Sequence, residues 1–366
     1  MKEKHKNIIL VVLFALVILF FSLMSVFSQK DRYSESERRA LEKFPEISME
    51  TVLTGEFSKK FELFATDNFY KRDVWRKIKN ASALYLFNME DTNDLYIEKG
   101  HISKIEYPCN QEKKEETAQK IRDIYEKYLK DENAKIYLSV IPDKGKFLAE
   151  EKLSIDYESF EKSFAQKVPF AEYIKISDIL NRDSYYKTDS HWKQEEIVSV
   201  AMTILNAMGK ELKGEFHKET VKKDFYGVYA GQMGFYGIKD EITLLKSEYT
   251  ESAIVTSFNS GSPEKAEVYS LKELESADPY EVYLGGAEAI LTIENPLAED
   301  KSHLVVFRDS FGSSLAPLFI GSYKKITLVD TRYVNPSLIG NFVDFSHADV
   351  LFIYSSTIIN QSTMLK

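Results

Sequence analysis

The feature that most restricts this chain is an uncharged stretch of 21 residues near its start, IILVVLFALVILFFSLMSVFS, at positions 8–28. At about 1.5 Å of rise per residue, a helix of that length spans a hydrocarbon core roughly 30 Å thick. Lys2, Lys4 and Lys6 precede the run, and basic flanks favour the cytoplasmic side of a membrane. The pattern predicts a membrane anchor with a cytoplasmic N-terminus and the remaining chain outside.

A cleaved signal peptide is the alternative, since small residues lie near a possible cleavage point before Gln29. The apolar run is longer than the roughly 7 to 15 residues of a usual signal core, which favours an uncleaved anchor. We therefore divide the chain into three parts. These are a cytoplasmic tip and transmembrane anchor at 1–30, a membrane-proximal helical collar at 31–100 and a main domain at 101–366.

Composition excludes several classes of function. The formal net charge of −9 argues against a surface built for nucleic acid. Cys109 is the only cysteine, so internal disulfides, CxxC chemistry and a thiolate zinc cage are ruled out. The six histidines form no HExxH motif, and no P-loop motif is present. The sequence predicts neither a metal site nor a nucleotide cofactor.

The second half of the chain alternates between strand and helix patterns. Short apolar runs predict buried strands in AKIYLSVIPDKGKFL and at 303–307, 325–329 and 349–354, with helical stretches at 312–322 and 336–346. This alternation is typical of an α/β fold whose parallel sheet is covered on both faces. The less regular region at about 210–300 predicts an insertion that frames the site. Functional residues are expected at the carboxyl ends of the strands.

The segment KTDSHW at 187–192 precedes a helical pattern that ends near Gly209. One interpretation makes Asp189 or Ser190 the N-cap of that helix, with His191 in its first turn. The other makes Asp189 and His191 two members of a catalytic triad. An Asp-x-His pair alone does not decide between them.

The segment VVFRDSFGSS carries a buried strand into Asp309 and Ser310 and then into a helix of small residues. Exposed amides at that helix start are predicted to stabilise an oxyanion beside the Ser310 hydroxyl. Capping is again the alternative. A serine hydroxyl becomes a nucleophile when an imidazole accepts its proton and a carboxylate orients the imidazole. Ser310, His191 and Asp189 supply these three roles.

DSHW and RDSFGSS, together with SESERRALEKFP, DNFYKRD, IPDKGKF, GGAEAILTIEN and ITLVDTRYVN, resemble the DHHW family of Gram-positive bacteria. That family is similar to the periplasmic alginate O-acetylation proteins. The resemblance implies an SGNH-hydrolase-like three-layer fold, permuted so that Asp-x-His precedes the serine. It makes Ser310 the nucleophile, His191 the base and Asp189 its orienting carboxylate. Ser190 stands at the family's second histidine, and Arg308 replaces the glycine of the hydrolases' GDS block.

The resemblance also implies a function. The chain is expected to be an extracytoplasmic O-acetyltransferase or acetylesterase that acts on acetyl groups of an exported or cell-envelope polysaccharide, through an acetyl-Ser310 intermediate. A membrane-bound O-acyltransferase is the implied partner and acetyl donor, and a polysaccharide is the acceptor. The alternative is a non-catalytic polysaccharide-binding or assembly subunit of an acetylation complex.

Five further residues are predicted to bind substrate: Lys144, Tyr186, Trp192, Asp309 and Arg332. Lys144 and Arg332 match positions that recur beside the site in similar sequences, where they would contact substrate or an acyl carbonyl. A strand-end ion pair is the alternative for both. Tyr186 and Trp192 either stack on a sugar ring or belong to the core.

Overall fold

A computed structural model describes residues 2–28, 32–148 and 153–361. The described residues form two compact units. The first comprises those within Met1–Asn93 and Gly231–Phe235, and the second those within Asp94–Ala230 and Tyr236–Lys366. The predicted boundary between anchor and collar lies outside the described residues. The division into three parts remains a prediction.

Fourteen strands occur in the described part of the chain: β1 (Tyr33–Ser34), β2 (Arg39–Ala40), β3 (Leu95–Glu98), β4 (His101–Lys104), β5 (Lys135–Ile141), β6 (Glu172–Tyr173), β7 (His217–Phe225), β8 (Asp240–Lys246), β9 (Ile254–Ser257), β10 (Glu264–Ala266), β11 (Ile290–Glu294), β12 (His303–Arg308), β13 (Lys325–Val329) and β14 (Asp349–Ser355). The α-helices of the same part are α1 (Lys2–Phe27), α2 (Met49–Leu53), α3 (Glu56–Asp67), α4 (Arg72–Ala81), α5 (Gln111–Ile124), α6 (Tyr157–Ala165), α7 (Val198–Ala207), α8 (Val228–Met233), α9 (Glu248–Ser252), α10 (Phe311–Leu315) and α11 (Ser356–Asn360).

The second unit is built on an eight-stranded sheet of order β10-β9-β11-β13-β12-β14-β5-β6. The five strands from β13 to β6 run parallel, which confirms the predicted α/β fold with a parallel sheet. The three strands β11, β9 and β10 extend it through antiparallel pairings, so their directions alternate. They come from the region predicted as an insertion at 210–300. The helix predicted at 336–346 is a 3-10 turn, Pro336–Asn341.

Side chains of the central strands alternate between two hydrophobic clusters. In β12, Leu304 and Val306 join one cluster, whereas Val305 and Phe307 join the other. Residues of α7 and α10 complete the first cluster, and residues of α5, α6 and α11 complete the second. Because alternate residues of a strand point to opposite faces, the sheet is covered on both sides and the fold has three layers.

The first unit contains the apolar N-terminal helix. Within the described residues, one helix is long and apolar enough to span a bilayer, Glu3–Phe27, with a mean hydropathy of 3.1. It covers the predicted span except for Ser28. A signal sequence has the same features, and its predicted cleavage point before Gln29 borders residues outside the described ranges.

Candidate active site

Ser310 lies at the carboxyl end of β12, directly before α10, and is partly exposed. The buried carboxylate of Asp309 fixes this turn. Its Oδ1 accepts a hydrogen bond from the Phe311 amide at 3.0 Å, and its Oδ2 accepts one from the Ser355 amide at 2.8 Å. Asp309 therefore joins the end of β12 to the end of β14. It has a structural role here, in contrast to the predicted contact with substrate.

Residues 185–192 form a closed loop. Tyr185 and Trp192 make an antiparallel bridge, and the Tyr186 amide donates to the His191 carbonyl at 3.1 Å. The following helix, α7, begins at Val198, and its N-cap position makes no side-chain hydrogen bond. The interpretation of this segment as a helix cap is therefore wrong.

The loop and the strand end bring Asp189, His191 and Ser310 together. His191 Nδ1 lies 2.6 Å from Asp189 Oδ1, and His191 Nε2 lies 2.7 Å from Ser310 Oγ. Because an ionised carboxylate can only accept, Nδ1 is the donor and Nε2 is left to accept the serine proton. Asp189 is fully buried and also accepts from the Val228 amide at 2.9 Å. The geometry is that of a general base aligned on a nucleophile.

Lys144 binds the backbone of the loop formed by residues 185–192. Its fully buried ammonium donates to the carbonyls of Asp189 at 2.7 Å, Tyr186 at 2.9 Å and Lys187 at 3.3 Å. Burial lowers the pKa of Lys144 to about 8. All three N–H directions are used by backbone carbonyls, which favours a role in holding the loop over the predicted contact with substrate. Lys144 positions the loop that carries Asp189 and His191.

Two residues that sequence reasoning missed anchor the loop from the other side. The Asp240 carboxylate accepts from the Lys187 amide at 2.8 Å, the Thr188 amide at 2.8 Å and the Thr188 hydroxyl at 2.6 Å. Gly227 donates its amide to Thr188 Oγ1 at 3.0 Å. A Cβ atom on Gly227 would overlap Asp189, so only glycine allows this close approach.

A third missed residue, Tyr280, packs on the imidazole. Its ring is stacked on His191 with centroids 3.9 Å apart and an interplanar angle of 9°. The Tyr280 hydroxyl lies 2.8 Å from Ser314 Oγ in α10. One aromatic ring thus contacts the His191 imidazole and is tied to the helix that follows Ser310. Nothing in the local sequence distinguishes it from the chain's 21 other tyrosines.

Tyr186 and Trp192 are both fully buried, which favours the core interpretation over sugar stacking. Trp192 Nε1 donates to the Phe311 carbonyl at 3.1 Å and to Ser314 Oγ at 2.9 Å. Tyr186 packs edge-on against Phe225. Both side chains stabilise the elements around the site.

Arg332 lies in the turn that follows β13. It pairs with Asp330, a fully buried carboxylate, through Nη2 to Oδ2 at 2.6 Å and Nε to Oδ1 at 2.9 Å. The buried Arg308 lies against the same carboxylate, with 3.7 Å between Nη1 and Oδ2. The ion-pair interpretation therefore fits Arg332 better than a contact with substrate.

The predicted oxyanion donors after Ser310 are already engaged. The Phe311 amide donates to Asp309 Oδ1, and the amides of Gly312 and Ser313 donate to the carbonyls of Asp309 and Ser310, both at 3.1 Å. The prediction that exposed amides of α10 receive the oxyanion is therefore wrong for these three residues.

Comparison with solved structures supports the resemblance drawn from the motifs. A DHHW family protein from Eubacterium siraeum is 19% identical over 75% of this chain and 94% of its own, with a TM-score of 0.63. Bacillus cereus PatB1 is 19% identical over 72% of this chain and 96% of its own, with a TM-score of 0.59. PatB1 with a sulfonyl adduct matches at 18% identity, over 72% of this chain and 95% of its own, with the same TM-score. No protein-family model and no curated protein matches the sequence. The similarities establish a shared fold.

Proposed function

We propose that this protein is a membrane-anchored, extracytoplasmic O-acetyltransferase or acetylesterase that acts on acetyl groups of an exported or cell-envelope polysaccharide. The observation that carries the proposal is the unbroken hydrogen-bonded series from Asp189 through His191 to Ser310, with links of 2.6 and 2.7 Å. A binding or assembly subunit would have no need of this alignment. The fold shared with the DHHW family protein and PatB1 is consistent with the proposal.

The geometry supports a two-step cycle. His191 Nε2 takes the hydroxyl proton as Ser310 Oγ attacks the carbonyl carbon of the acetyl donor. The tetrahedral intermediate collapses, the donor's leaving group takes the proton back from His191, and acetyl-Ser310 remains. A sugar hydroxyl or water then gives its proton to His191 and attacks the ester carbonyl. As the bond from the carbonyl carbon to Ser310 Oγ breaks, His191 returns that proton to Oγ, which restores free Ser310 and neutral His191. Asp189 stabilises the imidazolium that forms in each step.

The proposal includes an uncleaved anchor formed by residues 8–28, with the site outside the cytoplasm. The apolar helix Glu3–Phe27 supports the anchor by its length and hydropathy. A membrane-bound O-acyltransferase would supply acetyl groups from the membrane to Ser310. Transfer exceeds hydrolysis only where a bound sugar hydroxyl reaches acetyl-Ser310 before water does.

The test uses the full chain in detergent with a chromogenic acetyl ester and, separately, a small sulfonyl fluoride as a serine-directed probe. Intact mass should show an acetyl or sulfonyl adduct on the wild type and none on Ser310→Ala. Asp189→Asn and His191→Ala should lower turnover by about 10²- to 10⁴-fold, the usual range for loss of a positioned general base.

Ser260→Ala is the control, because Ser260 is an exposed serine on the turn between β9 and β10, whereas Ser190 Oγ lies 3.5 Å from Asp189 Oδ1. It should keep both turnover and the adduct. If the wild type proves as inert as Ser310→Ala towards both reagents, catalysis by Ser310 is refuted. The binding or assembly subunit then becomes the better proposal.

A further inference from the structure

Helix α4 turns its polar face towards the interior of the first unit. Arg72 Nη2 lies 2.7 Å from a Glu37 carboxylate oxygen, and Arg76 Nη2 lies 3.3 Å from the other oxygen of the same group. Asn80 is 1% exposed and donates its amide to the Met233 carbonyl at 2.8 Å. Arg72, Arg76 and Asn80 therefore form a covered polar face, whereas the other three polar side chains of the helix are exposed.

The apolar side chains of α4 point the other way. Val74, Trp75 and Ile78 are 48%, 43% and 50% exposed, and their spacing of one and three residues places them on one face. Phe61 and Leu63 of α3 are also exposed, at 41% and 49%. A helix on the surface of a water-soluble domain has the opposite arrangement. Exposed apolar patches of this kind mark a surface that is covered by a partner or a membrane.

The N-terminal helix indicates what covers this face. Phe21 lies inside the uncharged run and packs on Phe69 and Trp75, with ring centroids 5.7 and 5.5 Å apart. The Tyr70 amide donates to Ser25 Oγ, also inside the run, at 3.0 Å. Segment 69–75 therefore lies beside the part of α1 that would be within the bilayer, and Trp75 belongs to the exposed face of α4.

We propose that the apolar face of α4, formed by Val74, Trp75 and Ile78, lies in the outer interface of the bilayer, in contact with lipid acyl chains. Phe21 precedes the end of the run by seven residues, which corresponds to a depth of about 10 Å along the helix. Interfacial helices bury their apolar face about 5 to 10 Å deep, and Trp is enriched at that level. The inference rests on the proposed anchor and adds a second, horizontal attachment to the membrane.

The two tryptophans of the chain make a direct test possible. Trp75 is on the proposed lipid-facing surface, whereas Trp192 is fully buried in the second unit. The full chain is reconstituted in phosphatidylcholine vesicles with or without bromine on the acyl chains, because bromine quenches nearby tryptophan. Wild-type emission should fall by roughly half in brominated vesicles, since one of two tryptophans is reached. The emission of the Trp75→Phe variant should not fall in brominated vesicles. For the wild type, bromine near the carboxyl end of the lipid acyl chains should quench the emission most strongly.

Flotation of the same vesicles separates this inference from the anchor. A chain that fails to float refutes the anchor, and with it the basis of the inference. A chain that floats while its emission is equal in both kinds of vesicle refutes the lipid contact alone. Another protein or a second copy of the chain would then cover the face. Quenching that persists in Trp75→Phe also overturns the inference, because it assigns the effect to Trp192.

Discussion

Replacing Lys144 with methionine tests whether the loop of residues 185–192 depends on the buried ammonium of Lys144. The change keeps a long side chain and removes the hydrogen bonds to the carbonyls of Asp189, Tyr186 and Lys187. Hydrogen bonds from a charged donor contribute about 1.5 to 3 kcal/mol each, so the two short ones account for roughly 3 to 6 kcal/mol. The loop would lose the contacts that fix the backbone on both sides of Thr188.

The loss is partly offset because the variant no longer buries a charge. The fall of the Lys144 pKa from 10.5 to about 8 corresponds to roughly 3 kcal/mol of burial cost. The free energy of unfolding should therefore fall by only about 0 to 3 kcal/mol, and the variant should fold. Turnover should fall far more, by about 10²-fold or greater, because Asp189 no longer holds the imidazole in line with Ser310.

Urea unfolding and steady-state turnover of a chromogenic acetyl ester measure the two effects separately. Lys146→Met is the matched control, since Lys146 lies on the same 3-10 turn, is partly exposed and makes a 3.5 Å ion pair with Glu161. It should change the free energy of unfolding by less than about 1 kcal/mol and leave turnover intact. A folded Lys144→Met variant with near wild-type kcat would refute the positioning role.

Three other predictions follow from neighbouring contacts. Gly227→Ala should reduce kcat by about tenfold or more in the acetyl-ester assay, because its Cβ displaces Asp189, and unchanged kcat would contradict the close approach. Tyr280→Leu should lower kcat while Tyr280→Phe retains most of it, because the stacked ring holds the His191 imidazole in position. Equal kcat values for the two variants would argue against a role for stacking. Burial, with the nearby Asp143, raises the pKa of Glu106 to about 8, so the folded protein retains a proton that the unfolded chain has lost above about pH 4.5. Wild-type stability should therefore decrease from pH 5 to pH 8 relative to Glu106→Gln in urea titrations, and parallel pH profiles would exclude the shift.

The sheet was predictable because its strands are continuous apolar runs between polar ends. The runs around 303–307, 325–329 and 349–354 became β12, β13 and β14 with little change in their bounds. Ser310 could be predicted for a related reason. It follows an apolar strand directly, and open α/β sheets place functional residues at the carboxyl ends of their strands.

The residues that hold the site in place could not be predicted from the sequence, because they lie far along the chain from the residues they contact. Gly227, Asp240 and Tyr280 contact the loop from 39 or more residues away in the chain. Lysine is usually a surface residue, and only the folded structure shows that the Lys144 ammonium is enclosed by carbonyls. The oxyanion prediction failed because the pattern of a strand followed by Asp-Ser does not reveal that the Asp309 carboxylate already occupies the Phe311 amide.

The two oxygens of Asp309, one on each of two backbone amides, determine how tolerant this position is to change. Asparagine has nearly the same shape, yet its NH₂ group would face an N–H and leave one donor unpaired. Glutamate would move both oxygens outward by a methylene. Few substitutions at position 309 would therefore preserve both hydrogen bonds, and this structural constraint is independent of the chemistry proposed for Ser310. If Asp309 and Ser310 were both invariant among related sequences, the two positions would be conserved for different reasons, one structural and one chemical.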